Sequence, residues 1–194
     1  MAKPIKLSIL TLIFFIISAL TFACSKSGAP PDSSAAKKED KVIVIGELAA
    51  LTGPTAVWGQ AQHNELELLV EKWNKNSAEW GGIKLALKTY DFKGDTQEAV
   101  NAFNRLVDQE RVAVVFGTNN SNANLAFAPI AENKRVPVLC HAIDPHATTP
   151  APGKVNKYTF LTVASNVVQG KTLASYALEK LNIKRVAILY DQGN

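Results

Sequence analysis

Apolar and polar positions alternate along this chain in two rhythms that take turns. Val42 to Ile45 is a short apolar run. A turn-rich loop with Thr52, Gly53, Pro54 and the aromatic Trp58 follows it. From about Gln60, Leu66, Leu69, Val70 and Trp73 recur at the i, i+3, i+4, i+7 spacing of one helix face. Ile83 to Tyr90 alternates Ile83, Leu85 and Leu87 with Lys84, Ala86 and Lys88, the period of a strand. Asp95 or Thr96 then caps a helix whose face is Ala99, Phe103, Leu106 and Val107. Val112 to Phe116 is continuously apolar up to Gly117, which predicts a strand covered on both sides. Asn122 to Asn133 reads as a helix that Pro129 should kink or restart.

Val136 to Cys140 is the next short strand. The pattern then loosens through Asp144-Pro145 and Thr149 to Gly153. Tyr158 to Thr162 reads as a strand or a crossing segment. Gly170, Leu173, Ala174, Ala177, Leu178 and Leu181 form a regular helical stripe, and Arg185 to Tyr190 reads as one more buried strand. Strand and helix in alternation predict an α/β fold, a doubly wound parallel sheet with right-handed crossovers. In such a sheet ligands sit outside the carboxyl ends of the strands, so chemistry is sought in the loops that follow them.

The first 41 residues break the alternation. Lys3 and Lys6 precede an uncharged run from Leu7 to Ala23, and Cys24 follows directly. A basic start, an apolar segment and a small residue describe a secretory signal over residues 1–23. Cys24 with Ser25-Lys26-Ser27-Gly28 behind it is similar to the lipid-attachment site of bacterial lipoproteins; plain secretion and an uncleaved anchor are the alternatives. Ser25 to Lys41 is rich in Pro, Ser, Gly, Ala and charge and has no large apolar residue. It cannot bury enough surface to offset the entropy of ordering, so residues 24–41 are expected to be a lipidated cysteine and a flexible tether.

About 150 residues remain, enough for one core. The net charge of +4 lies partly in the signal and tether, and no basic stripe interleaved with aromatics appears, so nucleic acid is not an expected partner. The chain has two cysteines; if Cys24 carries lipid, Cys140 is left without a disulfide partner and reads as a buried strand thiol. No phosphate-loop GxxxxGK[ST] (Gly170-Lys171-Thr172 has Ser165 where the motif's first glycine belongs), GxSxG elbow, GxGxxG or zinc-type Cys/His spacing is present, and His63, His141 and His146 are scattered. No metal, cofactor or catalytic set is expected.

The wording of three stretches is more specific than their periodicity. "VIVIGELAALTGPTAVWGQAQHNELELLVEKWN", "VVFGTNNSNANLAFAPIAENKRVPVL" and "YTFLTVASNVVQGKTLASYALEKLNIKRVAILYDQGN" resemble the branched-chain amino-acid-type periplasmic binding proteins, the type I solute receptors of ABC importers. The resemblance implies a type I periplasmic binding protein fold. Residues 42–160 would form the first lobe of a two-lobed ligand-binding domain, and residues 161–194 the crossover and beginning of a second lobe. Because the family's chains continue for about as many residues again, the sequence is expected to be an amino-terminal fragment.

The resemblance also implies a function without bond chemistry. The lobes close on an amino acid or similar small carboxylate and deliver it to a permease with its ATPase. Trp58 would pack on the ligand's apolar part. Asn119, Asn120 and Ser121, at a strand end and a helix start, would take its carboxylate, with Ser121 matching the family's ligand serine; the plainer reading of Ser121 is a helix cap. His141, Ala142 and Asp144 stand where the family usually reads "SPSAT(N/A)P", Ala142 offering its carbonyl. The chain lacks the threonine before Pro145, so the resemblance does not carry over the family's leucine, isoleucine and valine specificity; the plainer reading of Asp144 is a turn cap. The other function classes are a sensing module built on the same fold and a doubly wound enzyme, which lacks a nucleophile–base–orienter set here.

Overall fold

The computed structural model describes residues 41–189. The signal, Cys24 and the tether up to Asp40 therefore lie outside the described residues. Strand β1 spans Val42–Ala49, β2 Lys84–Asp91, β3 Val114–Phe116, β4 Val138–Cys140 and β5 Thr159–Leu161. They form one parallel sheet in the order β2-β1-β3-β4-β5. Helices α1 (Ala56–Lys75), α2 (Thr96–Asp108), α3 (Ser121–Lys134) and α4 (Asn166–Glu179) follow β1, β2, β3 and β5. A single 3-10 turn, Pro145–Ala147, lies between β4 and β5. Tyr158 to Thr162 thus resolves as a strand.

The chain leaves β1 for β2 on one side and returns past β1 to β3 on the other. That reversal puts α1 on one face of the sheet and α2 and α3 on the other. Glu47 of β1 faces His63 of α1, while a side chain at Gly46 would meet Leu106 of α2. The main core fills the α2–α3 side. Phe103 and Phe127 stack there with centroids 5.0 Å apart, over Leu48, Val115, Val138 and Cys140. Burial pushes the Cys140 thiol up to about 12, so it stays an inert apolar group.

The structure departs from the sequence reading at several points. β1 runs to Ala49 instead of stopping at Ile45, because Glu47 is a buried strand residue. α1 starts at Ala56, with Thr55 as its cap residue, four residues before Gln60. On its expected apolar face only Leu66 is buried; Leu69 is 54% exposed. Pro129 neither breaks nor restarts α3, which is continuous from Ser121 to Lys134. Buried Phe127, Ala128 and Ala131 bracket the proline and hold the helix by packing, which outweighs one missing backbone hydrogen bond.

The stripe on α4 is helical, yet none of its residues is buried, and Leu181 falls beyond the helix end. Arg185 to Leu189 form no strand, and Leu189 is 99% exposed; Tyr190 lies outside the described residues. An apolar run becomes a strand only when a neighbour takes its backbone hydrogen bonds, and among the described residues none does.

Candidate functional site

The reversal of strand order between β1 and β3 opens a crevice at the carboxyl ends of the strands, where the loops after β1, β3 and β4 meet. The first loop is fixed by its backbone. Gly53 has φ +87°, and a Cβ on it would lie 2.4 Å from the Lys93 carbonyl oxygen, so the turn tolerates no side chain. Asp91, the last residue of β2, gathers the loop. Its carboxylate accepts from Leu51 N–H (3.0 Å), Thr52 Oγ1 (2.6 Å) and Lys93 N–H (2.8 Å). Behind the turn α1 begins, and Trp58 on its first turn stands 68% exposed over the crevice. The Thr55 hydroxyl oxygen is buried and finds no hydrogen-bond partner among the described residues.

Partial burial by itself pushes the Asp91 carboxyl up, but the hydrogen bonds from Thr52, Lys93 and Leu51 outweigh it and hold it below the usual range. A carboxylate lowered in the folded state stabilises the fold above its unfolded value of about 3.9, and that contribution is lost as the pH falls through the folded value. Asp91→Asn is expected to cost on the order of 1 kcal/mol at pH 7, a modest figure because the group is solvated. The gap to the parent should close as the pH drops below about 4. Urea denaturation at a series of pH values checks this; a gap that stays constant from neutral to strongly acidic pH would mean Asp91 does not hold the loop by its charge.

The second loop is built around a residue the sequence reading passed over. Asn124, fully buried on α3, reaches back so that its Oδ1 accepts from Thr118 N–H (3.2 Å). Its Nδ2 donates to the carbonyls of Thr118 (2.6 Å) and Asn120 (2.9 Å). Gly117 is required beside it, since a Cβ there would lie 2.7 Å from Asn124 Oδ1. The cap of α3 is Asn120, whose Oδ1 accepts from Ala123 N–H at 3.1 Å. Ser121 is therefore not the cap. It is the first residue of the helix. In the third loop His141 is exposed, Ala142 is buried, and Asp144 caps the 3-10 turn, accepting from the N–H (2.8 Å) and Nδ1 (2.7 Å) of His146.

A cavity of about 830 Å³ joins these loops. Trp58, Asn119, Asn120 and His141 line it together, with Thr55, Gly94 and Thr162 at the same end. Ala61, Leu66 and Leu69 of α1 continue it as an apolar slot against Phe116 and Leu139 of the sheet. Ser121, Ala142 and Asp144 are not among the lining residues, though each lies within a few residues of one that is. Such a space has the size and the mixed polarity of a small-molecule site.

The other residue set missed from sequence is Glu47 with His63. Glu47 is fully buried beneath α1 and accepts from His63 Nδ1 (2.8 Å), Thr89 Oγ1 (2.8 Å) and Gln62 Nε2 (3.3 Å). The only signal was a charge at an inward position of an apolar strand, 16 residues before its partner on another element. Among the described residues no group of three or more His, Cys, Asp or Glu side chains is poised to hold a metal ion.

Residues 42–194 match the family described as periplasmic binding protein. The chain is 32% identical over 155 residues to a Leu/Ile/Val-binding protein homolog of Brucella melitensis, an alignment covering 78% of the chain and 40% of that protein. It is 30% identical over 181 residues to a leucine-specific-binding protein of Salmonella typhimurium, covering 91% and 44%. Among solved structures it is similar to the branched-chain amino acid transporter substrate-binding protein LivJ of Streptococcus pneumoniae in complex with isoleucine. That similarity has a TM-score of 0.63 and 29% identity, and covers 73% of this chain and 39% of that one. The chain thus spans less than half the length of these relatives.

Proposed function

Because the chain belongs to the periplasmic binding protein family, in its branched-chain amino-acid type, we propose that it is part of an extracytoplasmic solute receptor of an ABC importer. The observation that carries this reading is the cavity at the strand-order reversal, where three separate loops bring Trp58, Asn119, Asn120 and His141 to one space. The relatives are named as binding proteins for leucine, isoleucine and valine, and this chain is read as a binder of an amino acid or similar small carboxylate. Residues 42–160 serve as the first ligand-binding lobe and residues 161–194 begin the second. The loaded receptor hands its ligand to a permease driven by an ATPase.

In this reading Trp58 covers the ligand's apolar part, and the start of α3, with Asn119, Asn120 and Ser121, receives its carboxylate. Ala142 and Asp144 shape the third loop behind His141. Ser121→Ala is expected to weaken a carboxylate ligand by one to two decades, the value of roughly 1.5–3 kcal/mol for a hydrogen bond to a charged group. Trp58→Ala weakens it through lost packing. Titration of the chain with amino acids, followed by NMR, measures both; unchanged affinity in the two variants would place the ligand in other loops.

The receptor is held at a membrane through lipid on Cys24, behind the signal of residues 1–23. Cys24→Ala is expected to abolish metabolic labelling by a fatty-acid analogue and to move the protein out of the membrane fraction. Labelling that persists in the variant excludes this anchor.

A further inference from the structure

The two ring nitrogens of His63 meet two carboxylates at unlike distances. Nδ1 lies 2.8 Å from Glu47 Oε2, within the span of a hydrogen bond to a carboxylate. Nε2 stands 3.5 Å from Glu67 Oε1, one turn along α1 and beyond the roughly 2.7–2.9 Å at which such a bond closes. The Glu47 carboxylate only accepts, so the hydrogen of the short contact is on Nδ1. Nε2 is then left with its lone pair, facing a second acceptor. Two acceptors so placed do not bind each other; they bind a cation between them.

The spacing suits a metal ion. A nitrogen and an oxygen each about 2.0–2.1 Å from a tetrahedral zinc lie about 3.3 Å apart. A cavity of about 420 Å³ opens at this point, lined by His63, Glu67, Val70, Glu71, Leu87 and Thr89, with no lysine or arginine in its wall. Lys75 is committed to Glu71 at 2.6 Å. The Glu67 side chain is 62% exposed and that of His63 23%, so an ion from solvent reaches both. Behind the ring, Glu47 is fully buried and is itself held by Thr89 Oγ1 (2.8 Å) and Gln62 Nε2 (3.3 Å). A carboxylate on the far nitrogen is the arrangement that fixes the tautomer and orientation of a metal-binding histidine and raises its basicity.

We propose that His63 Nε2 and Glu67 form a surface site for a divalent ion of the zinc, copper and nickel class, with Glu47 as the positioning carboxylate behind it. Imidazole with one carboxylate suits these ions, whereas magnesium and calcium take shells of oxygen. Two protein ligands leave the rest of the shell to water, so the ion exchanges. It would bridge successive turns of α1 and tie them through Glu47 to β1. The site shares no lining residue with the larger cavity and does not rest on the proposed receptor function.

Long-range ¹⁵N–¹H correlation of the three imidazoles, in the chain at pH 7, tests both parts. Without metal, His63 is expected to show a protonated Nδ1 and a bare Nε2; a predominant Nε2–H form, or hydrogen on both nitrogens, overturns the proposal. On titration with zinc, His63 Nε2 is expected to shift ahead of His141 and His146, and magnesium at the same concentration to leave it unmoved. Glu67→Gln keeps the shape of an exposed side chain and does not threaten the fold. It should weaken zinc at His63 by about tenfold or more, since losing an outer-shell partner alone costs that much. Zinc that moves the three histidines alike, or that binds His63 equally well in Glu67→Gln, would show an adventitious ion only and overturn the site.

Discussion

Glu47→Ala is expected to destabilise the fold by about 3–5 kcal/mol, the usual consequence of removing one member of a buried polar or charged pair. Glu47 is 0% exposed, so its carboxylate has exchanged water for three side chains: His63 Nδ1 at 2.8 Å, Thr89 Oγ1 at 2.8 Å and Gln62 Nε2 at 3.3 Å. These come from β2 and α1, so the carboxylate is the point at which the helix is registered on the sheet. Removing it takes the acceptor from three partly exposed donors, each losing a hydrogen bond worth about 0.5–1.5 kcal/mol, more where the bond is charge-assisted. The effect does not simply scale with charge. Replacing both partners by apolar residues removes the desolvation cost together with the attraction, and such swaps are often neutral or stabilising. Glu47→Leu combined with His63→Leu should therefore recover much of what Glu47→Ala loses. Urea denaturation of the three proteins decides the matter. Parent-like stability in Glu47→Ala would show that α1 does not depend on this contact.

Gly59→Ala is expected to cost about 3 kcal/mol, against the gain of roughly 0.5–1 kcal/mol that alanine normally brings inside a helix. The site of Gly59 is where α1 passes closest to the loop after β1. A Cβ there would lie 2.2 Å from the carbonyl oxygen and 2.5 Å from the nitrogen of Ala50. Both atoms are backbone, so no rotamer change relieves the clash and the helix has to lift. Trp58 precedes Gly59 directly, and any lift moves the indole away from the crevice. Gly170→Ala is the matched control: this glycine lies within α4, and a Cβ on it meets nothing within 4 Å. It should be neutral or mildly stabilising. Chemical denaturation measures both variants. If Gly59→Ala is as well tolerated as Gly170→Ala, the close approach of α1 to the loop is wrong.

The order of elements was legible in the sequence because each short stretch carries its own period: two for β2, near 3.6 for α2, an unbroken apolar run for β3. The loops of the site were legible for a related reason. Thr52-Gly53-Pro54 are turn residues, with Gly53 at φ +87°, and such local backbone demands are visible without knowing the neighbours. The tertiary structure decided the rest. Glu47 ends an apolar run when read locally and belongs inside a strand once His63 and Thr89 stand over it. Pro129 reads as a kink or a restart and sits in one uninterrupted helix once Phe127 and Ala131 are buried. Arg185 to Leu189 reads as a strand and is none without a neighbour to bond. Asn124 is one polar residue among several, until the fold turns its amide into the tie of the β3 loop. Periodicity records which way a side chain faces. It does not record what it meets there, and a buried polar group or a strand takes its free energy from the partner it meets.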